Sequence, residues 1–232
     1  MRLIQIIKHY YNVTKSEAFK IFQENNVMVD FVRRKPSYNV LENEKVYIND
    51  KLIELPADFG QTYILFNKPI GIECTNNINK DNNIREYLKT DKLLSCVGRL
   101  DKGSCGLIIL TDDSKFINMV NNPINHVDKT YFVRFLKPID ELLINTFKNG
   151  EVVIKNKITK EAKIEVIDQY HAYVTLSQGL YHQVRLTAKY AYNKVIYLER
   201  VKIGNISNID HHLAFGESRK LSFDEVLKLI KK

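Results

Sequence analysis

Long apolar runs are missing from this chain of 232 residues. No stretch approaches the roughly 18 consecutive apolar residues that a membrane-crossing helix needs, so no membrane span is expected. The first residues, Met1-Arg2-Leu3-Ile4-Gln5, lack the small-residue cleavage site of a secretory signal and read as the start of an amphipathic helix. Cysteine is scarce and odd in number: Cys74, Cys96 and Cys105 have no metal-ligand spacing. This excludes a disulfide framework and a zinc site, and fits free thiols in a reducing cytoplasm. The glycines form no nucleotide-binding pattern, so no organic cofactor is expected. Repeats and low-complexity tracts are also absent. Acid is the scarcer charge, 27 Asp and Glu against 35 Lys and Arg, and the net charge of +8 favours a polyanionic partner such as nucleic acid.

What remains is an ordinary globular composition, 44% hydrophobic, long enough for one mid-sized domain and a small one. In the first part, Leu3, Ile6, Ile7 and Tyr10 keep helical spacing, and Thr14-Lys15-Ser16-Glu17 is a capping box opening a second helix lined by Ala18, Ile21 and Phe22. Asn25-Asn26 ends it, and short strands are expected at 27–29, 46–48 and 51–53. Residues 56–61 read as a linker, because Pro56 and Gly60 punctuate a stretch without periodicity. Beyond it, strands are expected at 63–66, 107–110, 131–135, 152–154, 164–167, 173–176 and 195–198. Helices are expected at 84–88, 114–120, 181–191 and from Ser222 onward. Strands and helices that do not alternate strictly predict an α+β fold.

One stretch carries most of the functional information: Val97-Gly98-Arg99-Leu100-Asp101-Lys102-Gly103-Ser104-Cys105-Gly106, followed by the apolar run Leu107 to Leu110 and Thr111-x-Asp113 with Asp112 between. A lone carboxylate stands in a Gly- and Ser-rich loop, beside Arg99 and Lys102, directly before a strand that would hold it rigidly. An ordinary turn would also explain it. Three further segments stand at a distance from it. Asn67-Lys68-Pro69-Ile70-Gly71 ends a strand, Asp128-Lys129-Thr130-Tyr131-Phe132-Val133 begins one, and Gln178-Gly179-Leu180-Tyr181-His182-Gln183-Val184-Arg185 enters a helix.

Together these segments resemble the motifs of the RsuA-type rRNA pseudouridine synthases: Gly-Arg-Leu-Asp with Ser or Thr three residues on, Asn-Lys-Pro-x-Gly, Glu-Lys-x-Tyr-x-Val and Glu-Gly-x-Tyr-His-Gln-Val-Lys/Arg-Arg. Leu198-Glu199-Arg200 through Gly204, and Gly216-Glu217 through Leu221, are similar to the family's closing segments. The resemblance extends from Met1 to about Ile230. It departs where Gln178 replaces an acid and Leu186-Thr187 replaces the pair that follows the first basic residue. It implies a small N-terminal S4-type RNA-binding domain over residues 1–55 and a catalytic domain over 62–232 with a large mixed, mostly antiparallel sheet. In the small domain Asp30-Phe31 stands where Asn-Gly or Asp-Gly commonly closes a hairpin, a poor fit because Phe is costly at positive φ.

The roles the resemblance implies are specific. Asp101 is the nucleophile or base at the sugar, and Arg185, where the first basic position of the motif falls, is its charge partner. Tyr131 and Leu198 sandwich the target uracil, while Arg99 reaches into the RNA and fills the gap left by the flipped nucleotide. Lys68, Lys129 and the run Arg33-Arg34-Lys35 are expected at the RNA, supplying phosphate affinity without sequence information. His182 reads as a hydrogen-bonding spacer, and the pair His211-His212 as surface residues without ligand company. The implied reaction isomerises uridine to pseudouridine in ribosomal RNA without cofactor or metal. The implied enzyme is a cytoplasmic monomer acting on free or partly assembled subunits. Tyr181-His182-Gln183-Val184 and the chain length favour 16S rRNA; Asp101 through Ser104, with Gln178-Gly179-Leu180, resembles a branch acting on 23S rRNA. A non-catalytic RNA-binding or assembly factor would need only the small domain, and the presence of Asp101, Arg185 and Tyr131 speaks against it.

Overall fold

The computed structural model describes every residue except 1, 39, 41–43, 54–60, 76–80, 89, 91, 123, 124, 126, 209–212, 231 and 232. The expected linker, apart from Gln61, and the pair His211-His212 therefore lie outside the described residues. The chain forms two compact units: Met1–Gln61 with Lys89–Leu94, and Thr62–Leu88 with Ser95–Lys232.

In the first unit, α1 (Leu3–Tyr10) buries Leu3, Ile4, Ile6 and Ile7. Helix α2 (Lys15–Glu24) starts at the expected capping box, with Thr14 Oγ1 accepting the Glu17 N–H and Glu17 accepting the Thr14 N–H. Both helices pack on Val27, Val29, Val46 and Ile48. Those residues belong to a four-stranded antiparallel sheet of β1 (Val27–Val29), β2 (Val32–Arg33), β3 (Val46–Ile48) and β4 (Lys51–Leu52), in the order β2-β1-β3-β4.

The β1–β2 turn forms despite its unfavourable residues. Asp30 and Phe31 both have positive φ, 46° and 62°, and Val29 pairs with Val32 across a two-residue loop. The left-handed conformation costs Phe31 roughly 1–2 kcal/mol. Two interactions offset it. Phe31 stacks on Tyr47 with ring centroids 4.3 Å apart, and Asp30 exchanges two hydrogen bonds of 2.9 Å with the Lys45 backbone.

The second unit is built on a nine-stranded sheet. Its strands are β5 (Tyr63–Lys68), β6 (Ser95–Val97), β7 (Cys105–Thr111), β8 (Lys129–Phe135), β11 (Lys163–Val166), β12 (His171–Leu176), β13 (Val195–Ile203), β14 (Ile206–Ser207) and β15 (Ser218–Lys220). The path runs β11-β12-β8-β13-β7-β5-β15, with β14 on β13 and β6 on β7. Among the described residues only the β13–β7 strand pairing is parallel, so the sheet is mixed and mostly antiparallel. A separate hairpin joins β9 (Val153–Ile154) to β10 (Lys157–Ile158).

Strand β7 is buried at all seven positions, which explains its unbroken apolar sequence: a central strand covered on both faces has no polar side to alternate with. Helices α3 (Ser114–Asn121) and α6 (Phe223–Ile230) pack into one core with Leu107 and Ile109. Helices α4 (Glu141–Asn149) and α5 (Gln183–Tyr190) pack into another with Val133 and Leu198. Helix α4, capped by Asp140 Oδ1 on the Leu143 N–H, is not among the elements assigned from the sequence pattern. Helix α5 begins two residues later than expected, and β13 runs on to Ile203.

Candidate active site

Asp101 lies in the loop between β6 and β7. The loop is fixed at several points. Gly98 has φ of 70°, Leu100 is buried with its N–H on Cys74 Sγ, and the Ser104 N–H closes a turn onto the Asp101 carbonyl at 3.0 Å. The Lys102 carbonyl accepts the Gly71 N–H at 2.8 Å, tying in the turn after β5. Gly106, with φ of 108°, follows immediately. A Cβ there would stand 2.3 Å from the Arg200 carbonyl oxygen, so glycine is what lets β13 run alongside β7 at this point.

Helix α5 presents two groups to the carboxylate. Its N-cap residue His182 is left-handed (φ 49°, ψ 30°) and places Nε2 3.1 Å from Asp101 Oδ1. Arg185, in the first turn, places Nε 4.0 Å from Oδ2. The same guanidinium is held by stronger contacts. Nη2 donates to the Gly103 carbonyl at 2.9 Å and to Ser104 Oγ at 3.0 Å, and Nη1 donates to the Val195 carbonyl at 3.2 Å. The helix N-terminus adds a favourable field for negative charge. Gln183 braces the approach to α5: its Oε1 accepts the Leu180 N–H and its Nε2 donates to Gln178 Oε1, which also accepts the Lys160 N–H. Gln178 thus provides the acceptor that an acid would provide at this position.

A cleft opens over Asp101, lined by Arg99, Ser104, Tyr131, Leu176 and Leu198 among others. Tyr131 on β8 and Leu198 on β13 come from neighbouring antiparallel strands, Tyr131 opposite Arg200 and Leu198 opposite Val133. Arg99 is exposed at the rim, and the Asp101 and Arg185 side chains are 37% and 27% exposed, reachable by a ligand. The structure therefore gathers Asp101, Tyr131, Leu198 and Arg99 at one cleft, with Arg185 behind Asp101 at 4.0 Å. Its carboxylate, paired cation and flat, partly apolar walls suit charge chemistry beside a planar ring. Among the described residues no group of three or more His, Cys, Asp or Glu is placed to hold a metal ion.

Lys68 and Lys129 do not face the cleft, which corrects the expectation for both. Lys68 is fully buried, and its Nζ donates to the Pro69 and Ile72 carbonyls at 2.8 Å, holding the turn after β5. Burial pushes its ammonium below its ordinary value. Lys129 donates to the Val127 carbonyl at 2.8 Å, and burial with the nearby Arg200 charge lowers it to about 8. The physical reason is that both strand ends are enclosed by the fold, where main-chain carbonyls satisfy the amines. Arg200 was not singled out from sequence, yet among the described residues it is the largest fully buried side chain, with Nε on the Leu107 carbonyl at 2.6 Å. Its position between Gly106 and Tyr131 in the strand register is the signal that marks it. In the first unit Arg33, Arg34 and Lys35 are all exposed, Arg34 lying 4.7 Å over the Tyr38 ring.

A mixed sheet that brings a loop aspartate, with an arginine and a histidine beside it, to an open cleft fits an enzyme whose carboxylate does the chemistry. The comparisons agree with that class. The chain belongs to the RNA pseudouridylate synthase family, whose model matches residues 62–190, and it is a pseudouridine synthase. It is 33% identical to the ribosomal small subunit pseudouridine synthase A of Haemophilus influenzae over the whole of both chains. It is 32% identical to the dual-specificity RNA pseudouridine synthase RluF of Salmonella typhi, covering 99% of this chain and 78% of that one. A crystal structure of a pseudouridylate synthase superposes with a TM-score of 0.68 at 31% identity, covering 99% of this chain and all of the other. The large mixed sheet is thus the pseudouridine synthase fold. No helix among the described residues is long and apolar enough to cross a membrane.

Proposed function

We propose that this enzyme converts one uridine of 16S rRNA to pseudouridine, acting as a cytoplasmic monomer on the free or partly assembled small subunit. The observation that carries this reading is Asp101 in the cleft with His182 and Arg185 beside its carboxylate, in a chain matching a small-subunit enzyme from end to end. Asp101 acts at the sugar, either on C1′ or on a neighbouring sugar proton, as the N1–C1′ bond breaks. The freed uracil turns between Tyr131 and Leu198, C5 joins C1′, the C5 hydrogen leaves to solvent, and N1 regains a proton. Nothing is oxidised, and no cofactor or metal is called for. Arg185 offsets the negative charge of Asp101, and Arg99 occupies the space the extruded nucleotide vacates.

The first unit, with two helices on a small sheet, serves as an S4-type RNA-binding module spanning residues 1–55, joined through 56–61 to the catalytic domain at 62–232. Arg33, Arg34 and Lys35 contact phosphates there. A 23S target is the second reading, favoured by the likeness to the dual-specificity enzyme. Unmodified 16S and 23S transcripts carrying tritium at C5 of uridine decide between them. Release from 16S RNA alone supports the proposal, release from 23S RNA alone overturns the target, and binding of either RNA without release leaves only an assembly factor.

A further inference from the structure

We propose that His182 is a positioning residue that sets the rotamer of Asp101 and so aims its free oxygen at the sugar. The inference rests on the role given to Asp101 above. Among the described residues, His182 is the only side chain within hydrogen-bond distance of the Asp101 carboxylate, with Nε2 3.1 Å from Oδ1. Arg185 approaches Oδ2 no nearer than 4.0 Å, because its Nη1 and Nη2 are committed to Val195, Gly103 and Ser104. An aspartate that is 37% exposed, with a single freely turning Cβ–Cγ bond, needs something to hold its carboxylate plane.

The imidazole is itself held. The Tyr181 ring stacks on it with centroids 3.8 Å apart and planes 13° from parallel. On Tyr181, in turn, sits Lys155 Nζ, 3.5 Å from the ring centroid. Lys155 comes from the tip of the β9–β10 hairpin, where it and Asn156 both have positive φ. Three stacked groups from two elements thus fix the plane of the histidine. Nε2 faces Oδ1 at 3.1 Å, which leaves Oδ2 free to face the sugar.

Backbone conformation supports a role for the ring. At φ 49° and ψ 30° a glycine would sit without strain, whereas histidine bears a conformational cost. The residue that accepts this conformation also brings its ring to the Asp101 carboxylate.

His182→Gly tests this cleanly, since it preserves the left-handed helix entry while removing the donor. We expect kcat to fall about 10- to 100-fold with KM changed less than about twofold, as for misplacement of a reacting group. Added imidazole should restore part of the rate, and His182→Gln, which keeps a donor near the same place, should retain most of it. Wild-type kcat in His182→Gly, or a loss that neither imidazole nor glutamine recovers, overturns the proposal. A second readout is independent of turnover: a downfield imidazole N–H resonance from His182 that disappears in Asp101→Ala, which removes the acceptor. Its absence from the wild-type spectrum overturns the proposal even if the enzyme is active. Its presence with no activity on any RNA would instead count against the proposed function alone.

Discussion

Arg185 stands 3.0 Å from Ser104 Oγ but 4.0 Å from Asp101 Oδ2, so in the free enzyme it grips the loop more tightly than the carboxylate. The guanidinium therefore does two things, fixing the Asp101–Ser104 turn and lending positive charge to it. Lysine can supply the charge but not the planar fork that reaches Val195, Gly103 and Ser104 at once. Arg185→Lys should lower kcat at least about 10-fold, and Ser104→Ala only about two- to fivefold, since the Gly103 hydrogen bond survives. Single-turnover rates on RNA check both; equal losses in the two variants would contradict the division of labour.

Close approach of β13 to β7 makes Gly106 a stability position. A Cβ at 2.3 Å from the Arg200 carbonyl would force two central strands apart, and the backbone is left-handed there. Gly106→Ala should destabilise the protein by more than about 3 kcal/mol in urea unfolding, or prevent folding. Gly103→Ala is the control, because a Cβ there meets nothing within 4 Å. Its unfolding midpoint should match wild type.

Some of this was readable from the chain and some was not. Asp101 and Arg185 were marked by the resemblance of their segments to family motifs, and the structure places the two side chains 4.0 Å apart. The capping box at Thr14 and the buried β7 run were legible because local pattern alone decides them. Lys68 and Lys129 were misread because a motif gives identity without direction, and in both strands the amine turns inward onto carbonyls. The Asp30-Phe31 turn looked unfavourable locally, but the Tyr47 stack that supports it is a tertiary contact. The same holds for His182, whose partner lies 81 positions earlier in the chain and becomes visible only on folding.

The buried Lys129 predicts a distinct pH dependence. Its folded value of about 8 lies below the ordinary 10.5, so between those limits the unfolded chain holds a proton that the folded protein does not. Stability from this group therefore rises as pH increases from about 8 to 10.5, by up to roughly 3 kcal/mol, and the burial penalty is fully felt below pH 8. Urea titrations of wild type and Lys129→Met across that range measure it. The wild-type curve should climb relative to the variant, and parallel curves would refute it.

On the first unit, replacing Arg33, Arg34 and Lys35 together with alanine should weaken rRNA binding without changing kcat at saturation. The slope of log affinity against log salt should become shallower by about one for each phosphate no longer engaged. Unchanged affinity and slope would remove this run from the RNA interface.

The central claim is that the Asp101 carboxylate carries the chemistry. Asp101→Asn retains shape and hydrogen-bonding reach while removing the charge, so single-turnover tritium release from C5-labelled 16S rRNA, measured beside RNA affinity, tests it most directly. The account predicts no detectable release at wild-type-like affinity. Release at a rate comparable to the wild-type enzyme would contradict it.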